Sequence, residues 1–278
     1  FAGMVLGVDM GGLPLAESMA RSEEAAVLSG IGLGGTLGCI LTYAMPLSLS
    51  MCSTASRLDV SKGLVIGIVA APLSLLGVGL TEGYALSSVL RLGIPAFIFA
   101  AAVAGALAFF AEKTARACLL VSRFLAGAFI LLLASAALEH YFGFALVPGM
   151  APIGRQFELI GEISVMLAGA YPFVLFVQRH FAKPLHAVAA FLKIDDSAAL
   201  GMMIALANPL PTYSLFERMT RRGRVICSAF SGPALCLFGD QLGFVSAAYP
   251  AGISALFAGK LVATSAALIL ALALSSAD

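Results

Sequence analysis

Apolar runs of about twenty residues, the length that crosses bilayer hydrocarbon as a helix, recur from one end of the chain to the other. They fall near 25–51, 62–81, 89–111, 117–138, 159–178, 197–217, 225–249 and 251–275. One soluble core cannot absorb so many. Spanning segments must satisfy their backbone internally, so helices are expected. Composition agrees: 60% of residues are hydrophobic and 11% charged, with a mean hydropathy of +1.01, whereas a soluble domain carries about a quarter charged residues. The expected fold class is all-α: a polytopic helical membrane protein, a single transmembrane domain over 1–278 seated in a lipid bilayer. The net charge of +1 gives no hint of a nucleic-acid partner. Cys39, Cys52, Cys118, Cys227 and Cys236 show neither disulfide nor zinc spacing, so no metal and no cofactor is expected. The chain opens at Phe1 without a signal-peptide pattern and is expected to be the C-terminal portion of a longer protein.

Two of the apolar segments contain residues that break helices. Asn208, Pro209 and Pro211 interrupt 197–217, and Gly232, Pro233 and Asp240 interrupt 225–249. Proline lacks a backbone N–H and disrupts the helical ladder. At membrane depth the freed groups and the carboxylate must line a polar cavity or find partners. Broken helices of this kind hold small solutes in secondary transporters. Elsewhere Gly30, Gly34 and Gly38 recur every fourth residue, a spacing that lets two helices approach closely.

Charge sets the topology. Loops on the cytoplasmic side carry the excess Lys and Arg. The basic connections are 52–62, 111–123 and 178–196, so these are expected inside, and 17–24, with Glu17, Glu23 and Glu24, outside. The cluster Arg218, Arg221, Arg222 and Arg224 would fall outside if 197–217 crossed the membrane. A re-entrant hairpin turning at Asn208-Pro209-Leu210-Pro211 keeps it inside. A hairpin before a span also occurs at the chain start, where Asp9 is followed by Gly11, Gly12 and Pro14. Units 1–51 and 197–249 therefore read as an inverted repeat of discontinuous helices. A shift of about two hundred positions sets Asp9 near Asn208, Glu17 on Glu217, Arg21 on Arg221 and Gly32 on Gly232.

The stretches DMGGLPLAESMA (9–20), LAGAYPFVLFVQRHFAKPL (167–185), AALGMMIALAN (198–208) and FGDQLGF (238–244) carry a resemblance to a known family. They look like the ethanolamine permeases of bacterial ethanolamine-utilisation operons, and the similarity runs from the start to the AGK around Lys260. The resemblance implies ethanolamine as substrate, the bacterial inner membrane as location and no enzymatic activity. Facilitated uptake would feed ethanolamine catabolism. The chain departs from the family pattern at NPLPTY, where a second Asn (NNIPMF) is usual, and at Gln241, where His is usual. The oligomeric state stays open, a homo-oligomer included.

The residues suggest how such a solute would be held. Its amine is mostly protonated at neutral pH, so it needs a carboxylate or carbonyls for the ammonium and an amide or hydroxyl for the alcohol. Asp240 is the first candidate for the ammonium and Asp9 the second, the latter with Gly11 and Gly12 beside it. Asn208, with the carbonyls freed by Pro209 and Pro211, would orient the hydroxyl, and Gln241 adjoins Asp240. With no Trp in the chain, Tyr43, Tyr213 or Phe244 would supply an aromatic face. Against this, Asp240 can instead pair with Lys260 as a structural ion pair, since buried charges need partners. Two other readings stand. One is an ion-coupled symporter for another small amine or amino acid. The other is an intramembrane aspartyl protease using Asp9 and Asp240, which would want glycine at Leu237 and tyrosine at Val8.

Overall fold

The computed structural model describes residues 12–147 and 182–275, with scattered positions between 153 and 180. No strand occurs among them. The helices are α1 (Gly12–Met19), α2 (Glu23–Met51), α3 (Arg57–Thr81), α4 (Leu86–Phe142), α5 (Ala182–Leu192), α6 (Asp196–Ala205), α7 (Pro209–Leu215), α8 (Arg221–Ala234), α9 (Asp240–Ala248) and α10 (Ile253–Leu274). Among the described residues four stretches are long and apolar enough to cross a membrane: Glu23–Met51, Arg57–Thr81, Leu86–Ala106 and Pro250–Leu274. The shortest has 21 residues and reaches about 31 Å, the thickness of the hydrocarbon layer. This is an all-α membrane protein.

Helices α2 and α3 are largely enclosed, whereas α4 shows Ile94, Ile98, Phe124, Ile130 and Leu131 on its exterior. Small residues let the enclosed helices approach. A Cβ on Gly30 would lie 2.6 Å from the Leu13 Cα of α1, which supports close packing there. Gly32 and Gly35, outside the expected four-residue strip, meet α3 and the α9–α10 pair instead. Their helix is not regular: over Leu28–Gly38 and Ile40–Ala44 it winds in wide turns that bond five residues back, as Cys39 N–H does to Gly34. Such turns are uncommon and gather at functional sites.

The charged connection 111–123 was expected as a loop between two spans. The chain instead stays helical through it, because Glu, Lys and Arg are good helix formers. It bends sharply at Phe110, whose φ/ψ of −140°/47° is not helical. The Thr114 hydroxyl reaches the Ala106 carbonyl at 3.0 Å, eight residues that a straight helix would separate by about 12 Å. The bend does the reversing that a loop was expected to do. The segment 159–178 lies largely outside the described residues.

Helices α6 and α7 form a hairpin. The Asp195 carboxylate caps α6 through Ala198 N–H at 3.0 Å and receives Thr220 N–H at 3.0 Å and the Thr220 hydroxyl at 2.8 Å. Residue 195 precedes the segment and residue 220 follows it, so the chain returns to the end from which it entered. Within the hairpin the Thr212 hydroxyl donates to Gly201 O at 2.8 Å. Arg218, Arg221, Arg222 and Arg224 therefore share an end with Lys193, as the charge argument required.

That end is tied together by polar contacts. Arg224 grips the buried Asp59 carboxylate at 2.9 Å, with Arg221 at 3.7 Å. Glu217 accepts from Ser53 N–H at 2.8 Å, from the Ser53 hydroxyl and from the Ser56 hydroxyl. The Ser53 amide holds the Glu217 carboxyl below its ordinary range. Arg222 donates to Ser275 at the end of α10 and to Leu192 O. At the other end Glu23, Glu24 and Glu82 gather near Tyr84, whose hydroxyl is pushed up to about 12 by burial and by Glu82. The arginines at 218–224 thus gather at one end of the helices, and Glu23, Glu24 and Glu82 at the other.

Candidate functional site

The candidate site lies where the two interrupted segments cross. α6 stops at Ala205 and α7 starts at Pro209, leaving Leu206 to Asn208 between them. Helix α8 stops at Ala234 and α9 starts at Asp240, with Cys236 in left-handed backbone at φ 55°. The two breaks pair like short strands: Cys236 N–H donates to Ala205 O at 3.0 Å and Phe238 N–H to Leu206 O at 2.7 Å. Gly239 lies directly against the Ala207 carbonyl, so a side chain at position 239 has no room.

This pairing corrects one expectation. Pro209 removes the helical donor that Ala205 O would otherwise meet. That carbonyl was expected to face the solute, but the amide of the other break takes it. Each interruption satisfies the other's backbone, as burial demands. Asn208 likewise uses its side-chain oxygen to cap α7, accepting from Leu210 N–H at 3.0 Å. The cap starts a helix at a proline pair that is pre-set for the first turn.

The side chains around this crossing are polar. Asp240 opens α9, its Oδ1 accepting from Gln241 N–H at 3.0 Å, and the Cys236 thiol hydrogen-bonds to its carboxylate. Gln241 is buried and donates from Nε2 to Cys39 Sγ at 2.9 Å, linking α9 to the wide turns of α2. Tyr213 of α7 is buried, with Phe216 at 5.6 Å between ring centroids. Its hydroxyl is enclosed with no hydrogen-bond partner among the described residues. Cys236, Tyr43, Cys227 and Cys39 are its polar neighbours. Phe244 belongs to the other half of the core, packed with Leu237 and Leu256, while Tyr43 and Tyr213 share one cluster.

Lys260 differs from expectation as well. Its ammonium donates to the carbonyls of Gly35, Leu235 and Pro233 rather than to the Asp240 carboxylate. Orphan carbonyls at the end of α8 supply the negative charge density that a carboxylate was expected to give. Asp9 and Gly11 lie outside the described residues, and Gly12 begins α1. Among the described residues no cluster of His, Cys, Asp and Glu could hold a metal ion. Sequence reasoning missed Cys39, Cys236 and the Gly35 carbonyl. Only the glycine-rich run 28–38 signalled that α2 was special there.

Helices broken where they meet, packed among apolar spans, define a helical membrane protein of the interrupted-helix class. The comparisons make the assignment specific. The model of the family described as "Ethanolamine utilisation protein, EutH" matches residues 1–274, and the chain belongs to that family. Proteins named "Probable ethanolamine permease EutH" from Escherichia coli and Salmonella typhimurium are each 35% identical over 94% of this chain and 70% of their own length. A protein of the same name from Listeria monocytogenes is 30% identical over the same shares. No solved structure matches.

Proposed function

We propose that this chain carries ethanolamine across the bacterial inner membrane by facilitated uptake, in its protonated form, through a site at the crossing of the two breaks. The observation that carries this reading is the pairing of Ala205 and Leu206 with Cys236 and Phe238, at breaks that carry Asp240, Gln241 and Tyr213 on the flanking helices. Relatives named as ethanolamine permeases support the choice of solute. Asp240 attracts the ammonium, and the Tyr213 hydroxyl, lacking a partner among the described residues, meets the alcohol. Asn208 borders the site from the α7 cap, and Asp9, Gly11 and Gly12 stay candidates on their sequence pattern.

The basic end faces the cytoplasm in this reading, by the excess of Arg and Lys there. Units 1–51 and 197–249 form an inverted repeat. In support, Ser22 caps α2 through Ala25 N–H at 3.2 Å much as Thr220 caps α8 through Gly223 N–H at 3.0 Å. Each cap is preceded by a short helix, α1 or α7.

Neutral ethanolamine crosses bilayers unaided, whereas its charged form pays a heavy desolvation cost. The carrier therefore matters most at low external pH. The test is uptake of radiolabelled ethanolamine into proteoliposomes with competitors at fixed pH. Small primary amino alcohols compete. Choline, which lacks N–H donors and is larger, competes poorly. Inhibition by ethylene glycol equal to that by ethanolamine refutes a carboxylate-based site.

A further inference from the structure

Lys260 is 1% exposed. It stands seven residues from the start of α10 and fourteen from its end, about 10 and 21 Å along the axis. Its Nζ lies 2.5 Å from Gly35 O, 2.8 Å from Leu235 O and 3.2 Å from Pro233 O. An ammonium has three donors and no acceptor, so three carbonyls satisfy it fully. A neutral amine would turn a lone pair toward one of those oxygens. The geometry is that of a bound cation.

The three oxygens have a common origin in interrupted helix. Pro233 and Leu235 lie at the end of α8, where unpaired carbonyls and the helix dipole favour positive charge. Gly35 belongs to the wide turns of α2. Gly35 and Leu235 also stand 200 positions apart, the offset that relates the two repeat units. In transporters with broken helices, unwound carbonyls and half-helix C-termini hold the coupling cation. Here the cation in that position is covalently part of the chain.

We propose that Lys260 is a tethered cation filling the place of a coupling ion, so that transport needs no sodium, and that its carbonyl cage is a latent site for small cations such as methylammonium. The sodium-free part of this proposal rests on the transport reading above. The cage does not, since it can be tested without transport.

The experiment has two arms. In the first, ethanolamine uptake by the wild-type protein is compared in sodium chloride and in N-methylglucamine chloride. Equal uptake is expected, and loss of uptake without sodium overturns the tethered-ion role. No uptake in either salt defeats the transport reading and leaves the cage to the second arm. There, Lys260→Ala, Lys260→Met and wild type are purified in detergent and their melting temperatures followed in methylammonium chloride against N-methylglucamine chloride. Methylammonium should raise the Tm of Lys260→Ala saturably. It should leave Lys260→Met, whose side chain fills the cage, and wild type unchanged. A flat response of Lys260→Ala, or an equal response of all three, overturns the cage. If Lys260→Ala does not fold without added cation, recovery of monodisperse protein when it is prepared in methylammonium is the same positive result, and failure to recover it the same negative one.

Discussion

Asp195 closes the α6–α7 hairpin, and replacing it with alanine tests whether this closure positions the first break. The carboxylate accepts three hydrogen bonds, one from the α6 amide of Ala198 and two from Thr220. Loss of an N-cap costs about 1 kcal/mol. The two bonds from Thr220 go to a charged acceptor, which would make each worth about 1.5–3 kcal/mol when buried. Asp195 is only partly buried, so solvent screening reduces them to about 0.5–1 kcal/mol each. The sum is about 2–3 kcal/mol, or a fall in Tm of about 4–12 °C for a chain of this size. Asp195→Asn keeps an oxygen for the Ala198 cap but turns an amide N–H toward the Thr220 N–H, and should cost about 1 kcal/mol. Thermal unfolding in detergent measures both, and uptake should fall with them because the hairpin carries Leu206–Asn208 to its partner break. Alanine and asparagine variants of equal stability, or an alanine variant as stable as wild type, would refute the closure argument.

Asp240→Asn should abolish or greatly weaken uptake while the protein remains monodisperse, because the amide keeps the shape and loses the charge that attracts an ammonium; retained uptake would show that the carboxylate is not the ammonium site. Tyr213→Phe removes a buried hydroxyl with no protein partner among the described residues, so it should leave stability unchanged or raise it by about 1 kcal/mol. Its cost should appear in the KM for ethanolamine. The Glu217 carboxyl is held below its ordinary value of 4.5, chiefly by the Ser53 amide. Its contribution is therefore complete above that value and lost as pH falls through the lower folded value; Glu217→Gln should flatten this acid limb of the pH–Tm curve. Cysteines placed singly at 193 and 222 should label from the same, cytoplasmic, side. The native Cys52 thiol at that end stays quiet, since burial pushes it up to about 12.

What the sequence made legible was local chemistry and charge. Asn208, Pro209 and Pro211 announce an interruption because proline cannot donate and asparagine caps well, and the structure breaks there. The arginines at 218–224 forced a return of the chain, and Asp195 meeting Thr220 shows how it is made. What stayed hidden depends on partners distant in sequence. Nothing in ALANPLP says that Ala205 O will meet the amide of Cys236. Lys260 was assigned a carboxylate because a buried charge needs compensation, and orphan carbonyls compensate equally well once the end of α8 is known. The bend at Phe110 was hidden for the opposite reason. Charged residues that mark a loop in a membrane sequence are also good helix formers, so composition alone could not choose between loop and bent helix.

The mutual pairing of the breaks also constrains where selectivity resides. Broken helices are often credited with binding through their freed backbone, but here the Ala205 and Leu206 carbonyls are engaged by Cys236 and Phe238, and the Gly35, Pro233 and Leu235 carbonyls by Lys260. These backbone groups are spent on contacts within the protein: break to break, and α2 and α8 to Lys260. In the proposed site it is therefore side chains that meet the solute, the Asp240 carboxylate for charge and the Tyr213 hydroxyl, enclosed in the protein, for the alcohol. A carboxylate and a hydroxyl are the complement of a molecule with an ammonium at one end and an alcohol at the other. Because Gly239 sits flush on Ala207, any motion that opens the crossing must move both breaks at once. Motion that parts α2 from the end of α8 would lengthen the bonds to Lys260, whose acceptors are Gly35 on the one and Pro233 and Leu235 on the other, so in the proposed role the tethered ammonium resists that separation. In that role α2 and the end of α8 stay in register without an ion recruited from solution.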